Sequence, residues 1–300
     1  MTLPRALLVS LRPHQWIKNL VVLAALAFSK HLFEADAFLR AALAFAVFCA
    51  LAGAAYVVND LVDAEQDRQH PLKRHRPIAS GALPAAVARA AAAVLTVSAL
   101  AAAFWLGRAF AAVAFAYLLL TLAYSLALKH HVILDVLAIA IGFVLRAVAG
   151  ALAIEVRFSD WLLVCTILLA LFLALAKRRH ELVTLEDAGG HRRILREYSP
   201  YLLDQMIAVV TASCLTAYAF YTLAPETVEK YRTDRLAWTI PFVIYGIFRY
   251  LYLVHRKDQG GSPTEVLLAD RPLLAAVALW AAAVIAIVYT APGVPVPRGN

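Results

Sequence analysis

Nine apolar stretches, each near the length that crosses a bilayer, restrict this chain more than any other feature. They lie near residues 17–33, 40–59, 83–106, 109–128, 132–153, 159–176, 203–223, 237–254 and 272–291. In hydrocarbon each backbone N–H and C=O must find a partner within the segment, so runs of about 20 apolar residues fold as helices. Nine such runs consume most of the 300 residues and leave no room for a separate soluble domain. The expected architecture is a single integral membrane domain over 1–300, an all-α polytopic bundle of about nine transmembrane helices. The first stretch reads as a retained span and not a leader, because Trp16, Lys18 and Asn19 interrupt its start and "AFSKHLF" lacks a small-residue cleavage site.

Lys and Arg collect at alternate ends of these spans by more than two to one, with Arg5, Arg12, Lys18, Lys129, Lys177 and Arg256 among them. Basic residues stay on the cytoplasmic side. The N-terminus is therefore inside and, after nine crossings, the C-terminus is outside. The inner connections 60–82, 177–202 and 255–271 are long and charged. Most of the net charge of +8 follows from this bias, and no motif or basic domain points to nucleic acid. Cys49, Cys165 and Cys214 all fall inside spans, too scattered to make a metal set.

The inner end of the second span reads "NDLVDAEQD". Asn59, Asp60, Asp63 and Asp67 follow N-D-x-x-D-x-x-x-D. On a continuing helix Asp60 and Asp67 point within about 20° of each other and Asp63 lies about 60° away. Three carboxylates in register repel one another unless a cation lies between them. Hard oxygen ligands with room for water suit Mg²⁺, which binds through one or two carboxylates plus substrate phosphates. His70-Pro71 closes the helix, and Lys73, Arg74 and Arg76 follow as phosphate-binding bases. An ordinary solvated helix end would scatter its charges and not align its acids.

That element, on an early span of a nine-helix bundle, resembles the UbiA superfamily of intramembrane prenyltransferases. The resemblance implies a central cavity facing the cytoplasm, Mg²⁺ held by Asn59, Asp60, Asp63 and Asp67, and a diphosphate bound there. "RPHQWIKN", "YSLALKHHVILD", "GFVLRAVAGA" and "AKRRHEL" narrow it further. Together they are similar to the branch that transfers phosphoribosyl from phosphoribosyl diphosphate to decaprenyl phosphate. This implies a polyprenyl phosphate acceptor, a bacterial inner membrane, and a homo-oligomer, a trimer by the same resemblance. Lys18, and the pair Tyr124 and Lys129, match family positions that contact the donor phosphates.

Most members of the superfamily carry a second D-x-x-x-D motif after the sixth span. Here "KRRHE" stands in its place, Lys177 to Glu181. Bases in place of carboxylates lose metal ligands and gain donors for a second phosphate or a ribose phosphate. Lys177, Arg178 and Glu181 share one helical face and are assigned that pocket. Arg146 lies deep in the fifth span, where a charge is costly and faces a polar interior; it is expected to line the cavity. An aromatic-acceptor prenyltransferase remains an alternative reading. A transporter for an anionic solute would place its charges near mid-membrane on broken helices, whereas here most sit at the inner ends. Glu265 and Asp270 could close the site as a lid.

Overall fold

A computed structural model describes residues 1–71, 73–157, 159–184, 193–257 and 259–291. The described residues are helical, without strands. Eight helices among them are long and apolar enough to cross a membrane: α1 (Ala35–Val62), α2 (Ala85–Leu106), α3 (Arg108–Leu126), α4 (Leu134–Ala153), α5 (Asp160–Thr184), α6 (Pro200–Leu223), α7 (Arg235–Arg256) and α8 (Arg271–Thr290). The middle of the long loop after α5, including Arg192, lies outside the described residues.

The first expected span differs. It is a 3₁₀ segment, Pro13–Leu23, running into a five-residue helix, Ala24–Phe28. Pro13 at its start and the polar Lys18–Asn19 pair leave no uninterrupted apolar face for a regular α-helix.

The chain divides into two compact units, Met1–Phe158 and Ser159–Asn300. In the first, α1 packs against α2 and the 3₁₀ segment, and α3 packs against α4. Small residues make these approaches close: Ala44, Ala103, Ala114 and Ala149 are all fully buried around Phe48. Phe48 meets Phe110 at a centroid distance of 6.1 Å and Tyr117 at 5.0 Å. The tightest approach is at Gly150, where a Cβ would stand 1.9 Å from the Val22 carbonyl oxygen. Gly107, at φ +135°, ends α2 and allows the reversal into α3.

In the second unit α5 packs along α6, and α7 along α8. Ser199 caps α6 by accepting the Leu202 N–H at 3.1 Å, and Asp270 caps α8 by accepting the Leu273 N–H at 2.8 Å. Asp270 also takes Arg249 through both oxygens, at 3.1 and 2.7 Å. These bonds hold its carboxyl below the ordinary aspartate range, the Arg249 hydrogen bond foremost. Asp270 is thus a helix cap tied to α7, and Arg249 is ion-paired and not a lone snorkelling base.

Candidate active site

Helix α1 stops at Val62. Asp63 takes φ −87°, ψ 2°, and a new short helix, Ala64–Gln69, begins after it. The continuous register expected across 59–67 is therefore broken at its middle carboxylate. Asp60 and Asp67 nevertheless reach a common point, because Arg76 Nη1 donates to Asp60 Oδ1 at 3.0 Å and to Asp67 Oδ2 at 2.7 Å. Both acids are buried. The return of the chain to this point has a hydrophobic cause. Ile78 and Leu83 are buried among Ala54, Val57, Ala88 and Ala92. The Leu83 N–H donates to the Pro77 carbonyl at 2.8 Å, and Gly81 supplies the left-handed turn at φ +79°. Anchoring residues 77–83 in the core holds Arg76 beneath the end of α1.

Asp63 faces another way. Lys129 Nζ donates to its two oxygens at 3.0 and 3.2 Å, and the Asn59 amide donates to Oδ2 at 3.1 Å. Arg12, which the sequence reading did not single out, completes the cluster. Its Nη2 donates to Asp60 Oδ1 at 2.6 Å, and its guanidinium lies 5.0 Å from the centre of the Tyr56 ring. Three aspartates thus meet three bases drawn from segments far apart in the chain. Among the described residues no group of three or more His, Cys, Asp or Glu side chains forms a metal-ligand cluster, since the bases stand between the acids. Removing one partner from a buried ion pair leaves a stranded charge, at a cost of about 3–5 kcal/mol.

The other expected contact residues of this unit are spread more widely. Lys18 is half-buried on the 3₁₀ segment, and Tyr124 is half-buried in the last turn of α3. Lys73 lies in a 3₁₀ turn whose start is held by its N–H donating to His70 Nδ1 at 3.3 Å. Arg146 is buried, and its hydrogen-bond partners are neutral: Asn19 Oδ1 at 2.7 Å, the Tyr117 hydroxyl at 2.7 Å and the Gly142 carbonyl at 3.0 Å. Its guanidinium also lies 4.6 Å from the Tyr117 ring centre. The partner that the sequence concealed is therefore the 3₁₀ segment itself.

In the second unit Lys177 Nζ is 3.8 Å from Glu181 Oε1, and the fully buried Arg178 pairs with the same Glu181. Arg179 pairs with Asp204 on α6, and His255 Nε2 approaches that Asp204 at 3.2 Å. Asp204 and His255 also escaped the sequence reading, although an acid one turn into an apolar helix is a readable signal. They stand at one end of a groove of about 390 Å³ between α6 and α7, which Thr211 and Phe248 also line.

Residues 19–264 match the UbiA prenyltransferase family. The chain belongs to it. The match begins at Asn19, so Arg5, Arg12 and Lys18 precede it. Over 292 residues the chain is 36% identical to the decaprenyl-phosphate phosphoribosyltransferase of Corynebacterium glutamicum, covering 94% of this chain and 86% of that one. It is 35% identical to the enzyme of the same name from Mycolicibacterium smegmatis, covering 94% and 92%. A UbiA homologue from Archaeoglobus fulgidus, solved bound to GPP and Mg²⁺, shares the fold at a TM-score of 0.74 and 18% identity, over 95% of this chain and all of that one.

Proposed function

We propose that this UbiA protein transfers the 5-phosphoribosyl group of phosphoribosyl diphosphate to a polyprenyl phosphate, the reaction class its relatives are named for. The observation that carries the reading is the junction of Asp60, Asp63 and Asp67 with Arg12, Arg76 and Lys129. It offers both oxygen ligands and phosphate donors at one end of a membrane bundle. The bases Lys177 and Arg178 beside Glu181 support the phosphoribosyl reading over a prenyl diphosphate donor, because they favour a further phosphate over a second set of metal ions.

Mg²⁺ fits the donor set. One guanidinium nitrogen donates to both Asp60 and Asp67, so both carboxylates are turned towards one positive group, and such hard oxygens suit this ion. Asp60 and Asp67 would hold it, with Asp63 and Asn59 beside them. Once bound it would neutralise charge on the departing diphosphate. The rest falls to the chain's own side chains. Arg76, Lys129, Lys18, Lys73 and Tyr124 orient the donor phosphates, and Lys177, Arg178 and Glu181 take the second anionic group. The lipid phosphate oxygen attacks the anomeric carbon, the bond from that carbon to diphosphate breaks, and the electron pair leaves with diphosphate. The attacking phosphate is already ionised near neutral pH, so the reaction asks for orientation and charge stabilisation and not for a strong base.

The site would face the cytoplasm, the side that the bias of Lys and Arg supports, in a bacterial inner membrane and within one membrane domain of nine crossings. The 3₁₀ segment can supply the ninth. Its 11 residues rise about 22 Å at ~2.0 Å each, and the five-residue helix adds about 7.5 Å, together close to the ~30 Å hydrocarbon core. The test is transfer of radiolabelled phosphoribosyl to polyprenyl phosphate by the purified protein with Mg²⁺. Lipid-linked label should form and should vanish in Asp60→Asn. Transfer from a prenyl diphosphate to an aromatic acceptor, with no phosphoribosyl transfer, would overturn the proposal.

A further inference from the structure

Arg12 opens the RPHQWIKN element, just before the matched residues 19–264, and four features of its surroundings concern the acidic cluster. Its backbone is left-handed, φ 51° and ψ 62°, immediately before Pro13. A residue before proline is pushed towards extended conformations, and a residue with a Cβ seldom visits the left-handed region. Such a conformation persists only where its surroundings hold it.

The surroundings do hold it on both sides. Leu11 packs onto Gly53 of α1, where a Cβ would come within 3.0 Å of the leucine side chain. Downstream, Asn19 is fixed by Arg146, and Val22 is pressed against Gly150. The left-handed turn therefore sits in a clamped segment and not at a frayed terminus. It directs the guanidinium onto a platform made by Tyr56 and Asp60, one turn apart on α1.

The last feature is one of charge. Arg12 and Arg76 both donate to the same oxygen, Asp60 Oδ1, at 2.6 and 3.0 Å. Two like-charged donors thus meet on one carboxylate oxygen. A divalent cation taking the carboxylate displaces at least one of them. The displaced guanidinium needs a new anion, and a diphosphate arriving with the cation provides it. Of the two, Arg76 retains Asp67, whereas Arg12 keeps the Tyr56 ring and, among the described residues, no second carboxylate.

We infer that Arg12 is a further binding residue for the diphosphate group, a base that leaves Asp60 for the diphosphate when the divalent cation binds. This rests on the reading of the acidic cluster as a Mg-diphosphate site. Three consequences separate it from a structural role. Arg12 competes with the cation for Asp60, so its removal tightens binding of Mg²⁺ alone. Arg12 contacts diphosphate, so its removal weakens binding of inorganic diphosphate in the presence of Mg²⁺. The acceptor lipid is not its ligand, so KM for polyprenyl phosphate stays unchanged while KM for phosphoribosyl diphosphate rises.

The test uses the full chain in detergent, with Arg12→Gly, which accepts the left-handed backbone, and Arg12→Lys, which keeps the charge. Calorimetric titration with Mg²⁺ alone, and with inorganic diphosphate plus Mg²⁺, is read against the thermal midpoint of each variant. The expected result is an affinity for Mg-diphosphate lowered about 10-fold or more in Arg12→Gly, partly restored in Arg12→Lys, with Mg²⁺ alone bound more tightly. Unchanged Mg-diphosphate affinity in Arg12→Gly, with a wild type that binds, overturns the inference and leaves the cluster's reading intact. A loss of both affinities together with a lowered midpoint, not rescued in Arg12→Lys, also overturns it, because Arg12 would then be structural. A wild type that binds no Mg-diphosphate removes the reading of the cluster, and this inference with it.

Discussion

The substitution Gly150→Ala tests whether the N-terminal segment is held where the site needs it. In the present packing the new Cβ would stand 1.9 Å from the Val22 carbonyl oxygen and 2.8 Å from its carbon, whereas ordinary contact begins at 3.4 Å. The two backbones must separate by about 1.5 Å to admit one methyl group. Neither is a flexible side-chain end that can swing aside. Overpacking of this kind costs about 1–3 kcal/mol, and the rigid carbonyl places it in the upper half of that range. For a chain of this size about 2 kcal/mol lowers the unfolding midpoint by ~4–8 °C. The same shift loosens the 2.7 Å bond from Arg146 to Asn19, one residue from Lys18. Misplacing a binding group by about 1 Å costs activity of order 10²-fold. The assay pairs thermal unfolding in detergent with phosphoribosyl transfer. Gly246→Ala is the comparison, because nothing lies within 4 Å of a Cβ there, and it should match the wild type or exceed it slightly. A Gly150→Ala protein that melts within 1 °C of wild type, as a matter of measurement on the order of assay error, and turns over normally would refute this account of the clamp.

Arg76→Ala should lower kcat/KM by about 10²-fold or more, because it strands Asp67 and removes a phosphate donor; Arg76→Lys, which keeps the charge but lacks the rigid guanidinium and its further donors, should recover only part in the transfer assay. Chelation of divalent ions should abolish transfer, and Mg²⁺ should restore it; turnover that survives chelation removes the metal from the proposal. Asp270→Asn keeps an oxygen for the α8 cap but loses the charge facing Arg249. Its folded pKa is depressed, so the stability it contributes is complete above the ordinary aspartate value of about 3.9 and is lost as pH falls through the lower folded value. The difference in unfolding midpoint between wild type and variant should therefore be constant near neutral pH and shrink only below about pH 4.

Much of this protein follows from composition along a line. A run of apolar residues leaves its backbone one means of satisfaction in a bilayer, so eight helices of crossing length were readable without tertiary information. The acids Asp60, Asp63 and Asp67, and the bases standing where a second acidic motif is usual, were readable for the same reason: charges beside such runs are too costly to be incidental. The partners of those charges were not. Arg12 reaches Asp60 across 48 residues, Lys129 reaches Asp63 across 66, and Arg146 reaches Asn19 across 127. Helical spacing states which residues share a face only while the helix continues, and α1 ends just before Asp63.

Spans, the sidedness of charge and the chemical character of the inner end are properties of residue types in order, and the sequence alone determined them. Which base meets which acid, the break at Asp63, the 3₁₀ course of residues 13–23 and the place of Arg12 were decided only by the tertiary structure. The physical reason is that they depend on how closely backbones can approach, at Gly150 against Val22 and at Gly53 against Leu11, and such distances belong to no single segment.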